Sequence, residues 1–256
     1  MTFENLETNL IINGNNREID AYLALNRSLP DHYNSTFMHM LDIASLMNHA
    51  GLRDQYKIVG GYSVLAHLVN NFGYEIIPNW RNSLGSSDVD IIGTEKVYKT
   101  LKQTYNVKHD DDRQSPNLPN KRTIRIRDDE RCLCKGCKVD FVIDRQEEIA
   151  QNSEEAYLLS VLVRVKDPIS LIKDKVYIAQ SQQVHREDVM GLLALLEKKG
   201  TDSGSLVRIL EHNHRSHLHG LLEAIETSVK SLKNIIYPTK EYRNNLRLHL
   251  KKYLVK

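Results

Sequence analysis

The chain has little cysteine, no long apolar run and almost no excess of either charge. Its three cysteines, among 256 residues, sit together in Cys132-Leu133-Cys134-Lys135-Gly136-Cys137. A structural zinc site wants four Cys or His ligands, and the cluster has no clear fourth. Lys135-Gly136 reads instead as a hairpin turn that would splay the thiols along two strands, leaving them reduced as suits a cytoplasmic protein. No apolar stretch is long enough to span a bilayer, and the start Met1-Thr2-Phe3-Glu4-Asn5 is too polar for a signal peptide, so a cytoplasmic location and no membrane partner are expected. The 35 Lys and Arg against 33 Asp and Glu leave a net charge of +2. Bulk charge therefore does not announce a nucleic-acid binder, and any basic surface must be local. No internal repeat or low-complexity tract is present.

What the chain does have is three short segments in a telling order. The first is Ile58-Val59-Gly60-Gly61-Tyr62-Ser63, the second Ser86-Ser87-Asp88-Val89-Asp90-Ile91-Ile92, and the third Val139-Asp140-Phe141-Val142-Ile143. The apolar flanks of Asp88 and Asp90 predict a strand, where residues two apart share a face about 6–7 Å apart. Two carboxylates so placed repel unless a cation lies between them. Asp140 lies in an apolar run that predicts a buried strand, where an unpaired carboxylate costs several kcal/mol. Asp144 shares its parity, but Asp140 is the more deeply flanked by apolar residues and is preferred as the third acid.

The pattern suits phosphoryl-type transfer, in which metal ions neutralise charge while a nucleophile is held in line with the leaving group. Hard carboxylate oxygens suit Mg²⁺, with Mn²⁺ as an alternative. Gly60-Gly61, between the apolar residues 56–59 and the helix-compatible residues 63–69, predicts a strand-to-helix turn whose bare backbone can approach a nucleoside triphosphate. Ser63 would add a hydroxyl to a phosphate oxygen, and Ser86 and Ser87, just ahead of the paired acids, are further candidates for binding the nucleotide.

Gly-Gly opening a helix, Asp-x-Asp on a strand and a later strand Asp resemble the nucleotidyltransferase fold of the DNA polymerase beta superfamily. The segments Pro168–Ala179 and Arg186–Leu193 resemble, more closely, the abortive-infection nucleotidyltransferase toxins of type IV toxin-antitoxin systems. The resemblance covers roughly residues 51–200. It implies an α+β chain: a small mixed-sheet core over 51–150, flanked by an N-terminal helical segment over 1–50 and a C-terminal helical domain over 151–256. It further implies that Asp88, Asp90 and Asp140 hold the metal, with Asp140 doubling as general base, and that Gly60, Gly61 and Ser63 cradle the triphosphate. Lys175 and Asp188 best match a helical Lys and a helix-opening Asp of the family, and would meet phosphate or the metal's outer shell. Asp188 could otherwise orient the lysine. Lys173 is the alternative lysine, pointing about 200° away on a helix. Family members carry an Arg shortly before Asp-x-Asp. Here that position is Leu84, and the nearest arginine is Arg81. The implied reaction moves a nucleoside monophosphate from an NTP to a hydroxyl on a tRNA end or a protein, with an antitoxin as possible partner. A small-molecule acceptor and a non-catalytic nucleotide-binding module are the competing readings.

Other segments are less specific. Thr36–Met47 is the strongest helix before residue 50, with a break at Ser28-Leu29-Pro30-Asp31. Arg122–Arg127 alternates basic with apolar, so Thr123, Arg125 and Arg127 should share the exposed face of a strand. The polar, Pro-containing residues 110–120 are expected to be a mobile loop, and the chain from Ser153 onward to be helix after helix. The histidines at 212, 214, 217 and 219 read as solvated helix surface.

Overall fold

In the computed structural model the described residues are 31–73, 76, 88–109, 112–126, 137–179, 183–211, 215–228 and 236–255. They comprise a seven-stranded mixed sheet with helices before, between and after the strands, an α+β architecture. The chain divides into two compact units, Met1–Asp167 and Pro168–Lys256.

The first unit opens with helix α1 (Asp31–His49). Phe37, Met38, Met40, Leu41, Ile43, Ala44 and Met47 are all buried, which is why the helix runs through the interior rather than over the surface. Strand β1 (Tyr56–Ile58) leads into helix α2 (Gly60–Phe72), then come β2 (Asp88–Gly93) and α3 (Glu95–Thr104). Thr94 caps α3 by accepting a hydrogen bond from the Val97 amide at 3.4 Å. Hairpin β3 (Asp112–Ser115)/β4 (Leu118–Ile126) follows, then β5 (Cys137–Ile143), the short α4 (Gln146–Ala150), and hairpin β6 (Ser153–Leu158)/β7 (Val161–Lys166).

The sheet order is β3-β4-β5-β2-β1-β7-β6. β2 runs parallel to β5 and antiparallel to β1, and β1 runs parallel to β7. Val89, Ile91, Val139, Phe141, Ile124 and Ile126 alternate onto one face and are buried. Helix α3 packs there, with the Tyr98 ring 5.6 Å from that of Phe141. The intervening residues of β2, β4 and β5 fall on the other face, so the half-open alternation of antiparallel strands extends to the parallel β2/β5 pair.

Three expectations need correction. Residues 112–120, expected as loop, belong to a hairpin instead: β3 and β4 pair across Asp112↔Ile124 and Arg113↔Thr123, with Pro119 in exposed strand where it has no ladder donor to lose. Residues 153–166 are not helical but form the β6/β7 hairpin, so the helical unit begins at Pro168 instead of 151. Val161-Leu162-Val163-Arg164-Val165 is β-branched at alternate positions, a strand signal that the helical pattern farther along obscured. Finally, β5 is not buried on both faces, because Lys138, Asp140 and Val142 alternate with buried neighbours.

The second unit is helical: α5 (Pro168–Ala179), α6 (Gln183–Lys198), α7 (Ser203–Glu211), α8 (Arg215–Ser228) and α9 (Lys240–Leu254). Gly220 lets α8 close on α5, since a Cβ there would stand 2.5 Å from the Val176 carbonyl oxygen. Thr239 caps α9 by accepting from the Tyr242 amide at 3.1 Å, and its own amide donates to Glu197 on α6 at 2.7 Å.

Candidate metal centre

Strand register brings the three acids together. Asp90 pairs with Asp140 across the parallel β2/β5 ladder, and Asp88 pairs with Lys138 one step earlier on the same face. One carboxylate oxygen from each of Asp88, Asp90 and Asp140 lies within 4.8 Å of the others, and all three residues are half-buried. Two oxygens bound to one Mg²⁺ at about 2.1 Å stand at most about 4.2 Å apart, so small side-chain rotations would bring this group around a single ion. Asp144 does not join it: its carboxylate accepts the Arg145 amide at 2.8 Å, four residues farther along.

The donor set is three hard oxygens, which suits Mg²⁺ or Mn²⁺ better than zinc. A further feature fits a ligand site. Gly60 opens α2 at φ +68°, and a Cβ there would collide with Asp90 Oδ2 and stand 3.2 Å from its Cγ. Only glycine combines that backbone angle with that approach. The Val59 amide donates to the Asp90 carbonyl at 2.9 Å, which ties the start of α2 to β2 beside the carboxylates. The first turn of a helix presents backbone N–H groups and a partial positive charge, so this end of α2 favours an anion next to the acids.

Two lysines already neutralise part of the group's charge. Lys138 Nζ lies 2.9 Å from Asp88 Oδ2 and 3.2 Å from Asp140 Oδ2, and Lys121 Nζ lies 3.3 Å from Asp140 Oδ2. Thr123, opposite Asp140 in the β4/β5 register, donates its hydroxyl to Asp140 Oδ1 at 2.8 Å. Burial pushes the Asp140 carboxyl up, but the Thr123 hydrogen bond and the charges of Lys138 and Lys121 outweigh it and hold the pKa below the ordinary carboxylate value. Burial likewise pulls Lys138 down, and its bonds to Asp88 and Asp140 reverse this and raise it. Both groups are charged at neutral pH.

No protein-family model matches the chain. No curated protein matches it either.

The remaining candidates fall in different places. Gly61 follows Gly60 in the first turn of α2 and is half-buried. Ser63 does not offer a hydroxyl to a ligand: it is fully buried and donates to the Lys166 carbonyl at 3.3 Å, which the Nε2–H of His67 also meets at 2.7 Å. On α2, Ser63 points one turn from His67 onto β7, a direction its neighbours in sequence did not reveal. Ser86, Ser87 and Arg81 lie outside the described residues, as do Arg127, Cys132, Cys134, His212 and His214. Cys137 is buried on the helix-packed face of β5, where its thiol donates to the Lys138 carbonyl at 3.6 Å. In the second unit Lys175 and Asp188 are both buried and meet as an ion pair at 2.6 Å. Lys173 is half-buried.

Sequence reasoning missed Lys121 and Lys138, although their parity with Asp140 on alternating strands was the signal for both. It also missed Lys57. That side chain is buried on β1 and donates to the carbonyls of Glu148 at 3.1 Å and Gln151 at 2.9 Å, closing the end of α4. Burial first, and the charge of Lys166 next, lower its pKa.

Proposed function

We propose that the chain is a metal-dependent nucleotidyltransferase that moves a nucleoside monophosphate from an NTP to a hydroxyl acceptor and releases pyrophosphate. The observation that carries this reading is the trio Asp88, Asp90 and Asp140 brought together on β2 and β5 beside the glycine-opened end of α2. Asp88, Asp90 and Asp140 would hold Mg²⁺, which when bound supplies charge neutralisation on the polyphosphate. Gly60 and Gly61 would let phosphate oxygens approach the α2 amides. Asp140, ionised and accepting from Thr123, would receive the proton of the acceptor hydroxyl. Lys138 and Lys121, together with Arg113 and Arg125 on the same sheet face by register, add cationic groups for anionic substrate.

The resemblance to abortive-infection nucleotidyltransferase toxins supports this reading and favours a tRNA end or protein as acceptor, with an antitoxin protein as partner and the cytoplasm as the place of action. One observation favours a second reading. The lysine contacts already neutralise much of the acid group without metal, as a non-catalytic binding module would require. Incubating the chain with each labelled NTP, Mg²⁺ and pools of RNA, protein or small hydroxyl compounds, with pyrophosphate detection, tests the choice. Label transfer lost in Asp90→Asn supports the transferase. Magnesium-dependent NTP binding with no transfer to any pool would select the module.

A further inference from the structure

We propose that Lys138 is a built-in stand-in cation, occupying the seat between Asp88 and Asp140 until a divalent ion displaces it and thereby setting the threshold at which the site loads. The proposal rests on the metal reading of the acid trio. Lys138 reaches this seat for reasons fixed by the fold. It is the cross-strand partner of Asp88 and lies two residues before Asp140, so the pleat points all three side chains to one face. Its ammonium bridges the two acids, at 2.9 Å from one and 3.2 Å from the other, whereas Lys121 touches Asp140 alone.

Three carboxylates and two ammonium groups sum to one net negative charge, so the metal-free trio is held together rather than forced apart. A divalent ion needs the same Asp88 and Asp140 oxygens that the Lys138 ammonium bridges, and two cations cannot share them at coordination distance. The Lys138 side chain is 40% exposed, so its long stem has an open path away from the acids. Loading would therefore release a cation beside the metal, on the face where an anionic substrate would lie. The consequence is a site that stays compact at low metal concentration and opens its lysine only when metal arrives.

The test is a calorimetric titration of Mn²⁺ alone into the full chain and into its Lys138→Gln and Lys121→Gln variants, with melting temperatures taken with and without the ion. Lys138→Gln should bind Mn²⁺ about tenfold tighter or more than the parent, while Lys121→Gln gains under about threefold. Metal-free Lys138→Gln should also melt below the parent, and Mn²⁺ should restore it. Equal gains in the two variants would show a general field effect and overturn the proposal. Unchanged affinity in Lys138→Gln, with the parent still binding, would overturn it while leaving the metal reading standing. No binding by any of the three would remove the metal reading and the proposal together.

Discussion

Lys175→Met should unfold the helical unit far more easily than its chemistry suggests. Lys175 on α5 and Asp188 on α6 keep only 6% and 1% of their side-chain surface exposed, and their charged atoms meet at 2.6 Å. At an effective dielectric constant of about 20 their gross attraction is about 6 kcal/mol. Desolvating two ions costs several kcal/mol each, so the pair as a whole stands near zero. Removing one partner is a different matter, because the other charge stays buried. The expected loss is about 3–5 kcal/mol for Lys175→Met, and similarly for Asp188→Leu. Lys175→Met combined with Asp188→Leu should recover most of it, so that the double loss falls about 5 kcal/mol or more short of the sum of the two single losses. Urea unfolding of the four proteins, at fixed protein concentration, gives the comparison. A loss below about 1 kcal/mol in the Lys175→Met single variant would refute the reasoning.

The same set addresses function. The resemblance implies that Lys175 and Asp188 meet nucleotide or metal. A folded double variant that binds NTP·Mg²⁺ like the parent would make the pair a clamp between α5 and α6. One that folds but binds tenfold or more weakly would return Lys175 to the nucleotide, a loss of about 1.4 kcal/mol.

Other outcomes follow from the first unit and the helix crossing. Asp88→Asn and Asp90→Asn should each abolish the Mg²⁺-dependent rise in melting temperature with NTP, and a retained rise in both would refute the metal assignment. Metal-free Asp88→Asn should melt lower than the parent, because it gives up the Lys138 ion pair. Gly60→Ala should cost about 1–3 kcal/mol in thermal unfolding, from the positive φ and the collision with Asp90. Gly220→Ala should cost about 1–3 kcal/mol, as the added methyl meets the Val176 carbonyl, and a neutral result would show that α8 shifts freely. Because Asp140 is held below its unfolded value, its ionised form stabilises the fold above about pH 4, and that share is lost as pH falls through the folded value. Metal-free acid unfolding followed by circular dichroism should show a smaller pH dependence below about pH 4 in Asp140→Asn than in the parent.

The α+β class and the strand bearing Asp88 and Asp90 were legible in the sequence, whereas the hairpins on either side of them were not. Asp88-Val89-Asp90 on a strand and Gly60 at a strand-to-helix turn could be read locally, because a strand's side-chain period and the demands of φ on glycine are local properties. The choice of Asp140 over Asp144 also came from local context, and the β2/β5 register places Asp140 opposite Asp90. The β6/β7 hairpin was hidden because its turn, Leu159-Ser160, has no glycine or asparagine although both residues adopt positive φ, at 46° and 62°. Burial of Leu159 accounts for its tolerance there, since a packed side chain offsets backbone strain. The intramolecular partners of Ser63 and Lys175 were illegible for another reason: which group a buried polar side chain meets depends on what packs opposite it, and neither β7 opposite α2 nor α6 opposite α5 can be read from either helix alone.

Register explains why the lysines were the larger omission. A lone Lys two residues from an acid on a strand is unremarkable, and its meaning appears only when the neighbouring strand supplies a second acid at the matching step. Here β5 pairs Lys138 with Asp88 and Asp140 with Asp90 in the same parallel ladder. A slip of one residue would turn Lys138 and Asp140 toward the packed face with Val139 and Phe141 turned outward, burying two charges and exposing two apolar side chains. The apolar parity of β5 thus fixes the charged parity. The same alternation that builds the core against α3 sets the three carboxylates and their ammonium within reach of one another, so a variant that disturbs Val139 or Phe141 packing should disturb the candidate metal site without touching it.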